Sequence, residues 1–226
     1  MSTADVVIVG GGIEGCAAAW ALAERGVTDV VVVERHTVGS GMTGKSSGIV
    51  RCHYGVSSLA AMATVGLEVF EHADDLFGTD IGFRQTGYVV GVGEPNVDAL
   101  RKSLAAQRAV GVDTEEIGHA EVAAMWPFAD LEPFAAFGYE ARGGYGDAYQ
   151  TAQALAIAAR AAGVSIRQGC AATGLTVAGD RVTGVALADG TAISAVPSSS
   201  PPVSGPDRCS PPTASTSRSG WCANRS

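Results

Sequence analysis

The chain has 226 residues with 46% hydrophobic and 17% charged content, 30 glycines and a formal net charge of −8 at pH 7. That length and apolar content build one large or two small domains with a real core, and exclude a disordered chain or a disulfide-stapled mini-protein. The acidic balance excludes an extended phosphate-neutralising surface for nucleic acid, but not a small, locally held anion such as a cofactor phosphate.

In chain order, Val6 to Val9 is a β-branched run ending in Gly10-Gly11-Gly12. Cys16 to Glu24 reads as an alanine-rich helix closed by Gly26, and Val30 to Val33 as a second buried strand. Strand, glycine turn, helix and strand form a βαβ unit. A Gly/Ser/Thr-rich loop runs to Gly48, and Ser58 to Leu76 returns to helical spacing, with Leu59, Met62, Ala63, Leu67, Phe70 and Leu76 as its apolar core stripe. Phe83 to Val92 suits strands, Asn96 to Val110 a helix, and Phe134 to Tyr139 with Gly143-Gly144 strands and a turn. Thr151 to Ala162 is a further helix, followed by Val164–Ile166 and a hairpin of Leu175–Val177 with Val182–Leu187 around Gly179-Asp180.

The five cysteines, Cys16, Cys52, Cys170, Cys209 and Cys222, form no C-x-x-C pair and have no histidine at zinc-ligand spacing. Free thiols and no metal are expected. The N-terminus lacks the basic region of a signal peptide, and no apolar run reaches the roughly 18 residues of a membrane helix, so a cytoplasmic protein is expected.

Gly10-x-Gly12-x-x-Gly15 follows a strand, opens a helix, and has Glu34 19 residues beyond Gly15 at the end of the next strand. This is the context of a dinucleotide cradle: a tight turn, a close approach to pyrophosphate and close helix packing, with N–H donors at the helix start around Ile13 and Glu14. Glu34 would hold ribose hydroxyls, and this motif leaves NAD(P) and FAD both open. A second match, Gly39 to Ser46, fits G-x-x-x-x-G-K-[ST] letter for letter. Arg35 to Val38 separate it from its strand and Ser47 to Val50 is poor helix material, so a nucleoside-triphosphatase is not expected.

Residues 6 to 55, VVIVGGGIEGCAAAWALAERG, VVVVER and GSGMTGKSSGIVRCHYG, resemble the N-terminal part of the FAD-dependent amine and amino-acid oxidoreductases, the D-amino-acid-oxidase-like family, on its sarcosine-oxidase side (β subunit or monomeric). The likeness continues through Gly144–Asp147, Thr151–Gly163 and Val182–Gly190. It implies an α/β fold: a Rossmann-like FAD-binding domain with a parallel sheet from residues 1–80 and 146–194, and an incomplete, sheet-containing α+β substrate domain over 81–145. It implies that Gly10, Gly12 and Gly15 cradle the FAD pyrophosphate, that Glu34 and Arg35 contact the adenosine, and that Thr43, Lys45, Ser46, Ser47 and Gly48 run beside pyrophosphate and isoalloxazine. Lys45 stands where some relatives attach the flavin through a histidine, so non-covalent FAD is expected. Arg51 falls where relatives pair an arginine with the substrate carboxylate, a task suited to a bidentate guanidinium. His53 and Tyr54 follow as pocket-lining catalytic candidates, against the alternative of ordinary structural residues. The activity implied is oxidation of the C–N bond of a small secondary amine or amino acid, sarcosine-like ahead of D-amino acids, by hydride transfer to flavin. The partner implied is that small substrate, with no nucleic acid, no membrane and no specified partner subunit.

Residues 195–226 differ in kind: six of the nine prolines lie there and no period survives. Such a composition predicts disorder. Read one base out of register with G/C-rich codons, Pro197 to Ser226 becomes V-V-V-A-A-G-V-W-S-G and onward, the buried strand and glycine turn that the resemblance calls for. The tail is therefore expected to be out of frame, and the 226-residue species to bind FAD weakly or not at all and turn over nothing measurable; the alternatives are a NAD(P)-linked dehydrogenase and a non-catalytic nucleotide-binding remnant. Independent sequencing of the coding DNA from codon 185 onward is expected to reveal a one-base slip that restores V-V-V-A-A-G and a long open frame. An unchanged frame would make the tail genuine.

Overall fold

The computed structural model describes residues 2–195, and the expected out-of-frame tail from Val196 onward lies outside them. In chain order the elements are β1 (Ser2–Ala4), β2 (Val6–Val9), α1 (Ile13–Ala23), β3 (Val30–Val33), a 3₁₀ turn (Thr43–Lys45), β4 (Ile49–Val50), α2 (Ser57–Glu71), α3 (Ala73–Phe77) and β5 (Tyr88–Val92). A second 3₁₀ turn (Glu94–Asn96) leads into α4 (Val97–Ala109), β6 (Glu115–Ile117), α5 (His119–Met125), β7 (Ala136–Glu140) and β8 (Gly144–Tyr145). The chain then forms α6 (Ala148–Ala161), β9 (Ser165–Arg167), β10 (Ala172–Ala178), β11 (Arg181–Leu187) and β12 (Ala192–Ala195).

β3 is buried along its whole length, as an apolar, β-branched run in the middle of a parallel sheet must be. It pairs in parallel with β2, Val6 opposite Val30, and on its other side with β9, Val31 opposite Ser165. Its side chains alternate between two layers. Val30 and Val32 pack with Ala19 and Ala23 of α1, Ala159 of α6 and Val164. Val31 and Val33 face Ala4, Val185, Leu187 and Ile193 of a four-stranded sheet ordered β1-β12-β11-β10. The α/β class with a parallel sheet is therefore as expected; β9 pairs with β3, and Val185 and Leu187 of β11 pack on Val31 and Val33.

The middle of the chain builds an antiparallel sheet ordered β5-β7-β6. α4 covers it through Leu100 and Leu104 against Ala136, and a second cluster joins Ile117, Val122 and Phe137. Between the two units runs the β4–β8 ribbon, Ile49 opposite Tyr145. Gly48 takes φ +69 there, and a Cβ on it would lie 2.0 Å from the Gly146 carbonyl oxygen, so only glycine fits this crossing.

Several expectations are corrected. α1 begins at Ile13 rather than Cys16, because the glycine turn feeds straight into it. Ser58 to Leu76 is two helices, broken at His72, which redirects Ala73 towards Ala154 of α6 and sets Phe77 edge-on to Trp20 at 5.3 Å. Leu59 and Met62 are not core; they stand 46% and 69% exposed, because α2 turns Ala60 and Leu67 inward against Cys52 and Val112. β1, β6 and α5 were not foreseen: they are short, and β6 carries Glu115 and Glu116 in place of an apolar period. Ala195, placed at the head of the tail, closes β12 opposite Ala4.

Arg142, in the turn between β7 and β8, grips Glu71 at the end of α2 with Nε to Oε1 at 2.9 Å and Nη2 to Oε2 at 2.6 Å. This hydrogen bonding holds the Glu71 carboxyl below its ordinary 4.5. A depressed folded-state pKa stabilises above the unfolded value and is lost as pH falls through the folded one. Glu71→Gln is expected to cost about 1–3 kcal/mol at neutral pH. The gap from wild type should close as thermal melts are taken below pH 4.5.

Candidate functional site

The first cluster forms where β2 meets α1. Gly10 takes φ +106, with its N–H bonded to the Val33 carbonyl at 2.8 Å. A Cβ on Gly15 would lie 2.0 Å from the Gly10 carbonyl oxygen, so the first turn of α1 sits directly on the end of β2. Gly12 caps α1 without a side chain, and Thr43 supplies the missing acceptor from across the loop, taking the Ile13 N–H on Oγ1 at 3.0 Å. A Cβ on Gly12 would lie 3.0 Å from that same oxygen. Glu34 accepts the Gly11 N–H on Oε2 and the His36 N–H on Oε1, each at 2.8 Å. Each carboxylate oxygen keeps lone-pair capacity for a ribose hydroxyl. The Gly39 N–H reaches the Gly11 carbonyl at 2.9 Å and ties the following loop to the turn.

These residues fit the pyrophosphate and ribose of a dinucleotide. Side-chain-free backbone at residues 10 to 12 leaves the cradle that a Cβ would fill, and the N–H groups and positive dipole end of an 11-residue helix favour an anion there. Of the other sequence candidates, Glu14 and Arg35 are exposed, and so are Lys45, Ser46 and Ser47 on the outer loop, where Ser46 Oγ accepts the Gly48 N–H at 3.1 Å. Ser46 is extended and leads through Gly48 to β4, so no helix follows the stretch that matches a P-loop. Burial pushes the Cys16 thiol up to about 11, which keeps it protonated near neutral pH.

β4 carries the chain from this loop to a second cluster. The half-buried Arg51 guanidinium lies 4.7 Å from the centre of the Tyr54 ring and 5.4 Å from that of Tyr88, and Nη1 donates to the His53 carbonyl. Burial, and then the Arg51 charge, lower the His53 pKa, which leaves a neutral imidazole near neutral pH. Its ring is 6.5 Å from that of Tyr88. Cys52 is buried and its thiol is pushed up by burial. Its N–H donates to the Glu140 carboxylate, 2.8 Å from Oε2 and 3.2 Å from Oε1. Arg51, His53 and Tyr54 are thus one group, as the sequence order suggests. Tyr88 and Glu140 were missed, and the only signal for Glu140 was a charge ending the apolar run Ala136–Tyr139.

Residues 5–198 match the family described as FAD dependent oxidoreductase (DAO). Among curated proteins, the chain is 32% identical over 192 residues to sarcosine oxidase subunit beta of Rhizobium meliloti (strain 1021), covering 82% of this chain and 46% of that protein. It is 30% identical over 182 residues to 4-methylaminobutanoate oxidase (formaldehyde-forming) of Paenarthrobacter nicotinovorans, covering 79% and 22%. Among solved structures, L-proline dehydrogenase from P. horikoshii shares the fold, with a TM-score of 0.78 at 24% identity over 85% of this chain and 51% of that one. The chain therefore spans about half, or less, of the length of the relatives it matches.

Gly15→Ala is expected to push α1 off β2, at a cost of about 1–3 kcal/mol. Gly12→Ala, whose Cβ meets only Thr43 Oγ1, should cost less. Paired thermal melts of the two variants check the order.

Proposed function

The chain belongs to the FAD-dependent oxidoreductase family, and from that premise we propose that it oxidises the C–N bond of a small secondary amine or amino acid, with a sarcosine-like substrate first. Membership sets aside a nicotinamide cofactor, which the glycine motif alone left open. FAD, when bound, supplies the two-electron oxidant. Gly10, Gly12, Gly15 and the N–H group at Glu14 would hold its pyrophosphate, Glu34 with Arg35 its adenosine, and Thr43 with the loop to Gly48 its middle, the Ile13 N–H being taken by Thr43 Oγ1. Lys45, in place of an attaching histidine, supports non-covalent binding.

The observation that carries the substrate class is Arg51. Its guanidinium is half-buried beside two tyrosine rings, and the donors not used on the His53 carbonyl form a fork suited to a carboxylate. Tyr54 and Tyr88 give that charge an aromatic, partly dry setting, which strengthens a carboxylate contact relative to water. His53, kept neutral, is able to take the proton of a substrate ammonium and so free the nitrogen lone pair. A cytoplasmic location completes the reading; among the described residues no helix is long and apolar enough to cross a membrane.

In the chain continued in the restored frame, with FAD bound and air excluded, sarcosine is expected to bleach the flavin band near about 450 nm. Arg51→Ala should raise the sarcosine concentration for half-bleaching by about 10- to 100-fold, the loss of a charge-assisted hydrogen bond. Dimethylamine, which lacks the carboxylate, should not respond to that substitution. Bound flavin that no amine or amino acid bleaches would overturn the activity, and a dimethylamine response equal to that of sarcosine would overturn the role of Arg51.

A further inference from the structure

Residues 51–56 lie between β4 and α2 in neither helix nor strand, so no ladder of backbone hydrogen bonds fixes the stretch that carries Arg51. Two buried polar side chains grip it. Glu140, 2% exposed, brings both carboxylate oxygens to the Cys52 N–H. Gln107, 1% exposed, directs Nε2 to the Tyr54 carbonyl at 3.4 Å and to Ser103 Oγ at 2.8 Å. Its Oε1 has no hydrogen-bond partner among the described residues. Both grips come from the middle unit, from the end of β7 and from α4.

Register links them to the arginine. Glu140 stands directly opposite Tyr88 in the β5–β7 ladder, and the Tyr88 ring lies against the Arg51 guanidinium. One cross-strand pair therefore supports Arg51 twice: by the Tyr88 ring, and by Glu140 through the next peptide N–H. A buried carboxylate is costly unless hydrogen-bonded, and its placement on a single loop amide is more than core packing requires.

We propose that Glu140 is a positioning residue, which with Gln107 clamps residues 52 and 54 and thereby sets the direction of Arg51; this rests on the reading of Arg51 as the carboxylate-binding group. The clamp acts through backbone hydrogen bonds, so a neutral acceptor in place of Glu140 should keep it.

The test uses the full chain and no substrate. Hydrogen exchange of the Cys52 amide and the rate of Arg51 modification by phenylglyoxal are followed by mass spectrometry in wild type, Glu140→Gln and Glu140→Ala. Glu140→Ala is expected to speed Cys52 exchange at least about tenfold and Arg51 modification several-fold, as a lost buried hydrogen bond implies. Glu140→Gln should restore both, and the β5–β7 amides should stay protected in each. Unchanged rates in Glu140→Ala would overturn the clamp, even if sarcosine is oxidised. If Glu140→Ala also loses the β5–β7 ladder, Gln107→Leu is read in its place: faster Arg51 modification supports the clamp and an unchanged rate overturns it. Failure of the sarcosine reading would leave both rates as they are.

Discussion

Four successive valines, none more than 4% exposed, make β3 the strand on which the unit around the glycine turn is built. Because side chains in a strand alternate, Val30 and Val32 anchor the two helices while Val31 and Val33 anchor the β1-β12-β11-β10 sheet. Each fully buried valine contributes about 1.5–3 kcal/mol of apolar burial, so the layers on both faces depend on one short run. The end of the same strand delivers Glu34 beside the glycine turn. Placement of the Glu34 carboxylate thus follows from where the core strand stops.

Close backbone approach is the second constraint. α1 can sit on the end of β2 because residue 15 has no Cβ, and the β4–β8 ribbon can cross because residue 48 has none. The first contact shapes the cradle at the N-terminus of α1. The second joins the loop beside that cradle to Gly146, one residue before Asp147, whose side chain accepts the Gln150 N–H at the start of α6. Since α6 packs against α1, the loop, the cradle and the helix layer form one closed circuit of contacts.

Arg51 is held differently. It stands on a segment without regular structure, among aromatic rings and buried polar groups from the other sheet. Desolvation there lowers the His53 pKa and raises that of Glu140, so the same burial keeps the imidazole neutral and makes the carboxylate depend on its hydrogen bond to Cys52. The glycine turn with Glu34 is thus a property of one unit, whereas the Arg51 group needs both.

Legible in the letters were the βαβ unit, the glycine turn with Glu34 at the end of the next strand, the strand at β9 and the adjacency of Arg51, His53 and Tyr54. Those features are local: β-branched runs, a glycine spacing and a carboxylate at a strand end act over a few residues and leave a pattern in the letters. Long-range packing settles that Thr43 caps α1, that Met62 points outward, that α2 and α3 break at His72, and that Tyr88, Gln107 and Glu140 gather around residues 51 to 54. Those features depend on contacts between residues far apart in the chain, 88 positions for Cys52 and Glu140, and a partner at that distance leaves no periodic mark. Burial follows from which face of a helix the rest of the fold covers, and a helix with apolar residues on more than one face does not state which.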